Sequence, residues 1–138
     1  INYGKDAQKA RVLAEKLGLR VKFIDKVPHE KMNKLYWEAD LVLGSFGVGQ
    51  LDTVTIEAMA CGRPVIQHIK KKYFPSCPLK EYSTIEEIKE DIEIFMERKK
   101  RASRIKQQLR YVRKTHSADK LSSNLAELYK GIVHKRRQ

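Results

Sequence analysis

Two spacings of apolar residues alternate through the first half of the chain, and each names an element. Ala10, Leu13, Ala14 and Leu17 recur at helical spacing, as do Met32, Leu35, Tyr36 and Ala39, so each set forms the buried stripe of a helix. Leu41 to Gly44, and Val65 with Ile66, are instead unbroken apolar runs, as expected of strands buried on both faces, and Val21 to Ile24, with Lys22 inside it, reads as a further strand. Ile1 to Tyr3 reads as the tail of a further strand. The punctuation agrees. Asp6, Pro28 and Asp52 stand where helices start, the last over roughly Thr53 to Cys61, while Gly18 and Gly62 stand where helices stop. Strands and helices in strict alternation predict an α/β fold, a parallel sheet joined by right-handed crossovers and flanked by helices.

Beyond Ile69 the pattern changes. KKKYFPSCPLKEY contains prolines and no period, which predicts a loop of about a dozen residues, long enough to suggest a function. Ser83 and Glu86 make a capping box ahead of a helix with Ile85, Ile88, Ile92 and Phe95 on one side. The helical pattern continues through Ile105, Leu109 and Val112, and Ser117 caps a last helix that turns Leu121, Leu125, Leu128 and Ile132 inward. A chain of 138 residues without an internal repeat is read as one domain, 1–138, closing with C-terminal helices.

Composition adds charge to this picture. Apolar residues at 41% and charged residues at 33% are ordinary for a globular protein, but a formal net charge of +12 is large for this length. It is also concentrated. Arg98, Lys99, Lys100, Arg101, Arg104, Lys106, Arg110, Arg113 and Lys114 follow one another with no acid among them, and Lys135, Arg136 and Arg137 stand just before the final Gln138. Such clustering suggests an anionic partner, or else a solvated helix face. No apolar run reaches membrane-spanning length and the opening lacks the apolar centre of a leader peptide, so a cytoplasmic protein is expected. Cys61 and Cys77 make no ligand spacing with each other or with His29, His68, His116 and His134, so neither a disulfide nor a metal is expected.

The densest chemistry lies in LVLGSFGVGQLDTVTIEAMACGRPVIQHI, Leu41 to Ile69. A strand running into a glycine loop and then a helix start presents unpaired backbone N–H groups at the carboxyl end of a sheet, where phosphates bind. Gly47 and Gly49 let the backbone approach a ligand, and the Thr53 and Val54 amides are the candidate phosphate donors. Asp52 opposes a phosphate by its charge while capping Val54 or Thr55.

Within this stretch IEAMACGRPVI, Ile56 to Ile66, resembles the signature of the retaining glycosyltransferases of the two-domain GT-B type, in particular the large family 4. The resemblance extends more loosely over the chain, to His116 with Ser117 and Leu128 with Tyr129. It implies a Rossmann-like sheet forming the donor-binding, C-terminal half of a GT-B fold, truncated at its N-terminus and lacking the acceptor-binding domain. It implies transfer of a hexose from a nucleoside-diphosphate sugar, without a metal or other cofactor and with no catalytic residue assigned in this chain, which alone is expected to be inactive. The family carries a pair of glutamates. The second, here Glu57, implies acceptance of hydrogen bonds from the ribose diol. The position of the first is Gly49, so hexose recognition passes to Gln50, Ser45 or a group outside the chain. His68, with Lys70, Lys71 and Lys72, follows the strand where relatives place a loop beside the donor, and the nucleotide base is implied to rest on Lys26, Val27 and Pro28 through the backbone of Val27.

Two other readings fit less of the chain. Gly47, Gly49 and Asp52 make an incomplete dinucleotide fingerprint, which would suit an oxidoreductase module, but lysines stand where an acid should meet the ribose. A basic nucleic-acid-binding α/β module would use the run from Arg98, yet that run lacks interleaved aromatics beyond Tyr111 and leaves Glu57 unexplained. Nucleic acid is therefore not expected as a partner, and the anionic surface of a membrane is the candidate partner of the basic region, making the protein peripheral there.

Overall fold

The computed structural model describes residues 6–135. The expected strand at Ile1 to Tyr3 and the side chains of the basic tail, Lys135 to Arg137, lie outside that description. The chain divides into two compact units, one ending at Leu35 and one beginning at Tyr36, with the boundary inside a helix.

In the first unit α1 (Ala7–Lys16) ends as its sequence requires. Gly18 adopts φ +62°, and the Leu19 and Gly18 amides turn back to the Ala14 and Glu15 carbonyls at 2.9 and 3.0 Å, a Schellman closure that needs a residue without Cβ. Asp6 is the N-cap residue, but its side chain makes no cap bond. Of the expected stripe only Ala14 is buried, whereas Leu13 and Leu17 are exposed. Val21 to Ile24 is irregular, not a strand. A strand exists only through the ladder it pairs with, and no ladder among the described residues reaches these positions. Here the Arg11 guanidinium lies 4.4 Å from the centroid of the Phe23 ring. Pro28 precedes α2 (His29–Glu38), which carries the chain across the unit boundary.

The second unit is an α/β arrangement built on a minimal parallel sheet. The expected strands at Leu41 and Val65 form as β1 (Val42–Leu43) and β2 (Val65–Ile66), in register Val42 with Val65 and Leu43 with Ile66. The rungs run from the Val42 amide to the Pro64 carbonyl and from the Gly44 amide to the Ile66 carbonyl, both 2.9 Å. Between the strands lies α3 (Thr53–Ala60), closed by Gly62 at φ +69° with the Arg63 and Gly62 amides on the Ala58 and Met59 carbonyls. After β2, the segment 70–82 is irregular, as its prolines predict, yet it is not loose, since Cys77 and Leu79 join Ile66, Ile69, Met59, Phe95 and Val112 in the core.

Three helices complete the unit. The capping box falls one residue later than expected, on Thr84 and Glu87 and not on Ser83 and Glu86, and opens α4 (Ile85–Met96). Thr84 is the residue with extended backbone, φ −134° and ψ 163°, so its hydroxyl reaches the Glu87 amide. Ile85 is consequently exposed, while Phe95 is buried. The helical pattern breaks at Glu97, where ψ of 114° starts a new helix, α5 (Arg98–Thr115). Ser117 caps α6 (Ala118–Lys135) through the Lys120 amide at 3.3 Å. The stripe of α6 does not turn inward. Leu121, Leu125, Leu128 and Ile132 are 43% to 59% exposed, because periodicity marks a stripe without naming what covers it, and no described element lies over this one.

Two polar contacts that the apolar pattern hides fix α4 and α5. Asp91 of α4 is buried and takes the Lys80 ammonium, the Tyr82 hydroxyl at 2.5 Å and the Arg104 guanidinium at 3.5 Å. Tyr82 is thereby held protonated, its phenol pushed far up by burial and by Asp91. Gln108 of α5, equally buried, presents its amide to the side of β2 that β1 does not pair, with Nε2 donating to the Val65 carbonyl at 2.8 Å and Oε1 accepting from the Val65 amide at 3.1 Å. The similarly sized Gln108→Leu strands a buried donor and a buried acceptor, so urea unfolding should show a loss of about 2–6 kcal/mol, from a cost of about 1–3 for each orphaned group. A loss under about 0.5 kcal/mol, the scatter of an ordinary surface change, would show that the amide is not what satisfies Val65.

Candidate functional site

The segment from Gly44 to Asp52 joins the carboxyl end of β1 to α3, and its conformation is organised by one carboxylate. Asp52, with φ −91° and ψ 163°, is the N-cap of α3, and its Oδ1 accepts from the Thr55 amide at 2.7 Å. Its Oδ2 accepts from the Ser45 amide at 3.2 Å and from Gln67 Nε2 at 2.8 Å. The same Gln67 nitrogen donates to the Gln50 carbonyl at 2.7 Å. One wholly buried side chain from β2's exit thus holds the α3 end of the loop, and Asp52 carries the tie on to Ser45. Two buried atoms beside this network, Thr55 Oγ1 and Gln67 Oε1, have no partner among the described residues. The capping role expected of Asp52 is observed, on Thr55.

Two glycines here are dictated by space. A Cβ on Gly44 would sit 2.5 Å from Thr55 Oγ1 and 2.9 Å from Gln67 Cβ, so β1 can lie directly on α3 only without a side chain. Gly49 has φ +76°, its carbonyl accepts from the Lys70 amide at 2.9 Å, and a Cβ there would stand 2.7 Å from Lys70 Cγ. Gly47 is under no such pressure, with nothing within 4 Å of its would-be Cβ.

On α3 itself, Thr53 and Val54 are exposed, and their amides, the first two of the helix, have no partner within it. Glu57 stands one turn further on and is half-buried. Its Oε2 accepts from the hydroxyl of Tyr36 at 2.7 Å. Tyr36 is 5% exposed, and burial first, then the hydrogen bond and the charge of Glu57, hold its phenol protonated far above the ordinary tyrosine range. Cys61, near the same carboxylate, has its thiol pushed up by burial and by Glu57, against a lesser opposing effect of Arg63. Cys77 is likewise held as a thiol by burial. Neither sulfur is set up as a thiolate nucleophile.

The remaining candidates are dispersed. Ser45 and Gln50 are exposed residues of the loop whose backbone groups are already engaged by Asp52 and Gln67. His68 faces a cavity of about 280 Å³ with Phe46, Tyr82, Thr84 and Ile88, and its Nδ1 accepts from the Tyr82 amide at 3.0 Å, leaving Nε2 to carry the proton of the neutral ring. Lys71 is committed internally, its ammonium donating to the Cys77 carbonyl at 2.5 Å and its amide to Glu81 at 3.1 Å. Lys72 lies 5.7 Å from the Tyr73 ring centroid. Val27 belongs to the irregular segment of the first unit and is half-buried. Among the described residues no group of His, Cys, Asp and Glu is placed to hold a metal ion. Larger hollows, of about 400 and 460 Å³, lie along α5 and share Arg110 and Lys114. They are shallow surface features remote in sequence from Glu57, and the site chemistry rests on the enclosed hydrogen-bond geometry around α3.

Tyr36 and Gln67 are the site residues that sequence reasoning did not single out. Each left a sign. A tyrosine in a buried stripe must find a partner for its hydroxyl, and a glutamine between Ile66 and His68 in a buried run must be bonded from within.

The sequence model of a family described as glycosyl transferase-like matches residues 3–127. No curated protein and no solved structure matches the chain.

Asp52→Ala removes the cap of α3 and deprives Gln67 and the Ser45 amide of their acceptor. Loss of the cap alone costs about 0.5–2 kcal/mol, and an orphaned buried N–H adds about 1–3, so denaturant unfolding should report about 1.5–5 kcal/mol of destabilisation. Asp52→Asn, which keeps an acceptor for Thr55, should cost clearly less; equal losses in the two variants would refute the account of Oδ1 and Oδ2 given above.

Proposed function

Because the chain belongs to the glycosyl transferase-like family, we propose that it is the nucleotide-sugar-binding domain of a retaining glycosyltransferase of the GT-B type, using a hexose donor. The family's general activity is glycosyl transfer between a donor and an acceptor. The observation that carries it is the pairing, on one short helix, of a carboxylate gripped by a protonated tyrosine with amides left unpartnered at the helix start. In this reading the ribose hydroxyls donate to Glu57 and the diphosphate accepts from the Thr53 and Val54 amides, aided by the positive end of the helix dipole. Asp52 opposes the phosphate by its charge, but its oxygens are directed to Thr55, Ser45 and Gln67. The hexose falls to Ser45, Gln50 and the backbone at Gly47 and Gly49, with His68 as a further candidate.

Retention is then a front-face substitution. The bond between the anomeric carbon and the leaving phosphate oxygen breaks, the acceptor oxygen bonds to the same face, and the acceptor's proton passes to the departing phosphate. This needs no protein nucleophile, in keeping with the protonated state of both thiols.

A membrane-borne acceptor is part of the proposal. On α5, Arg98, Lys99, Lys100, Lys106, Arg110, Arg113 and Lys114 are exposed, while Arg101 is half-buried and Arg104 turns in to Asp91. No described helix is long and apolar enough to cross a membrane. Contact through α5 would be peripheral and electrostatic.

Two measurements test this reading. In calorimetric titration with nucleoside diphosphates, Glu57→Gln should weaken binding by about 1–3 kcal/mol, the range for a charge-assisted hydrogen bond, and unchanged affinity would remove Glu57 from the site. In co-sedimentation, the chain should bind anionic but not neutral vesicles, each well-placed cation contributing about 1 kcal/mol, and release as salt rises. Equal binding to both vesicle types, or to neither at low salt, would leave α5 as solvated surface.

A further inference from the structure

We propose that Tyr36 is the positioning residue that gives the Glu57 site its preference for a ribose over a sugar lacking its hydroxyls. The inference rests on the nucleotide-sugar reading and names a determinant of specificity within it. A glutamate side chain rotates about several bonds, and a diol is held well only by a carboxylate whose plane is fixed. Tyr36 supplies that constraint. Its hydroxyl is 2.7 Å from Glu57 Oε2, and the two residues are 21 apart in sequence, so the carboxylate on α3 is oriented by a group from another helix, α2. At 5% exposure the ring has no room to swing away, and a buried phenol beside a carboxylate keeps the proton it donates. A carboxylate offers about four lone-pair directions, and the phenol hydrogen bond occupies one of those on Oε2. Part of the rotamer entropy that Glu57 would lose on meeting the ribose is already lost in the folded protein.

A plain structural tie between α2 and α3 would use the same hydrogen bond, and the two roles differ in what they predict. A tie affects stability and weakens every ligand alike. A positioning residue changes the discrimination between ligands. The experiment measures dissociation constants for the tightest binder among uridine, guanosine and adenosine diphosphates and for its 2′,3′-dideoxy counterpart, using the whole chain. The wild type should prefer the ribose form. In Tyr36→Phe, which keeps the ring volume, the ribose form should weaken roughly three- to tenfold, the scale of one side chain's ordering, while the dideoxy form stays within about twofold. Tyr36→Leu, which also lacks the donor, should show the same collapse of the ratio, and serves if the phenylalanine variant does not fold. On a Glu57→Gln background Tyr36→Phe should no longer alter the ratio, because it acts through the carboxylate. A ribose preference intact in Tyr36→Phe, or both ligands weakened equally, overturns the role of Tyr36 while leaving Glu57 as the ribose acceptor. A wild-type chain that binds no nucleoside diphosphate, or binds both forms alike, overturns the reading of Glu57 and this proposal with it.

Discussion

The second unit depends on satisfying a sheet that is too small to satisfy itself. Among the described residues β1 and β2 pair only with each other, so Val65, at the centre of the core, has an amide and a carbonyl facing away from β1 with no described strand to meet them. The Gln108 side-chain amide supplies one donor and one acceptor in the spacing a neighbouring strand would offer. Because that amide is carried by α5, the helix is held against the sheet by hydrogen bonds as well as by Val112. Asp91 then links α4 to α5 through Arg104, and to the segment after β2 through Lys80 and Tyr82. Removing one partner from such a buried ionic cluster is far more costly than never having built it, so these contacts act as a set.

The candidate site is the other end of the same construction. The wholly buried Gln67, in the residue after β2, fastens Asp52 and the Gln50 carbonyl, so the loop preceding α3 is set by the core and not by solvent. This gives a helix start whose cap is filled while its first amides remain outward. The arrangement has a cost in the unpartnered Thr55 Oγ1 and Gln67 Oε1. Strain of this kind, of about 1–3 kcal/mol per group, is commonly concentrated beside binding loops.

Elements that are specified locally were legible in the sequence. The caps and stops of α3 and α1 depend on neighbours within a few residues, and Asp52, Gly62 and Gly18 stand where their chemistry is needed. Strands were legible only in part, since Val42 and Val65 find each other whereas Val21 to Ile24, which carries Lys22, has no ladder among the described residues. The stripe of α6 shows the same limit, for Leu121 and Leu125 announce an apolar face and say nothing of its cover. Within the candidate site, Glu57 is singled out by its motif, whereas its hydrogen bond to Tyr36 is not. Tyr36 was read as core because its ring is core, and only the coordinates reveal where its hydroxyl goes. Gln108 and Asp91 were invisible for a related reason. A polar residue inside a basic or amphipathic helix looks like surface until a distant backbone group or cation is found to need it.

Gly49 carries a consequence for how this loop could change. Its left-handed backbone, and an added Cβ only 2.7 Å from Lys70 Cγ, strain any side chain introduced there. Accommodating one would mean moving Lys70 or rerouting the main chain. Under the proposed function, recognition at that point is delegated to peptide groups, whose direction is set by the loop's path and not by a rotamer. A preference read by backbone is hard to retune by point mutation, and altering the donor would demand a change in loop length.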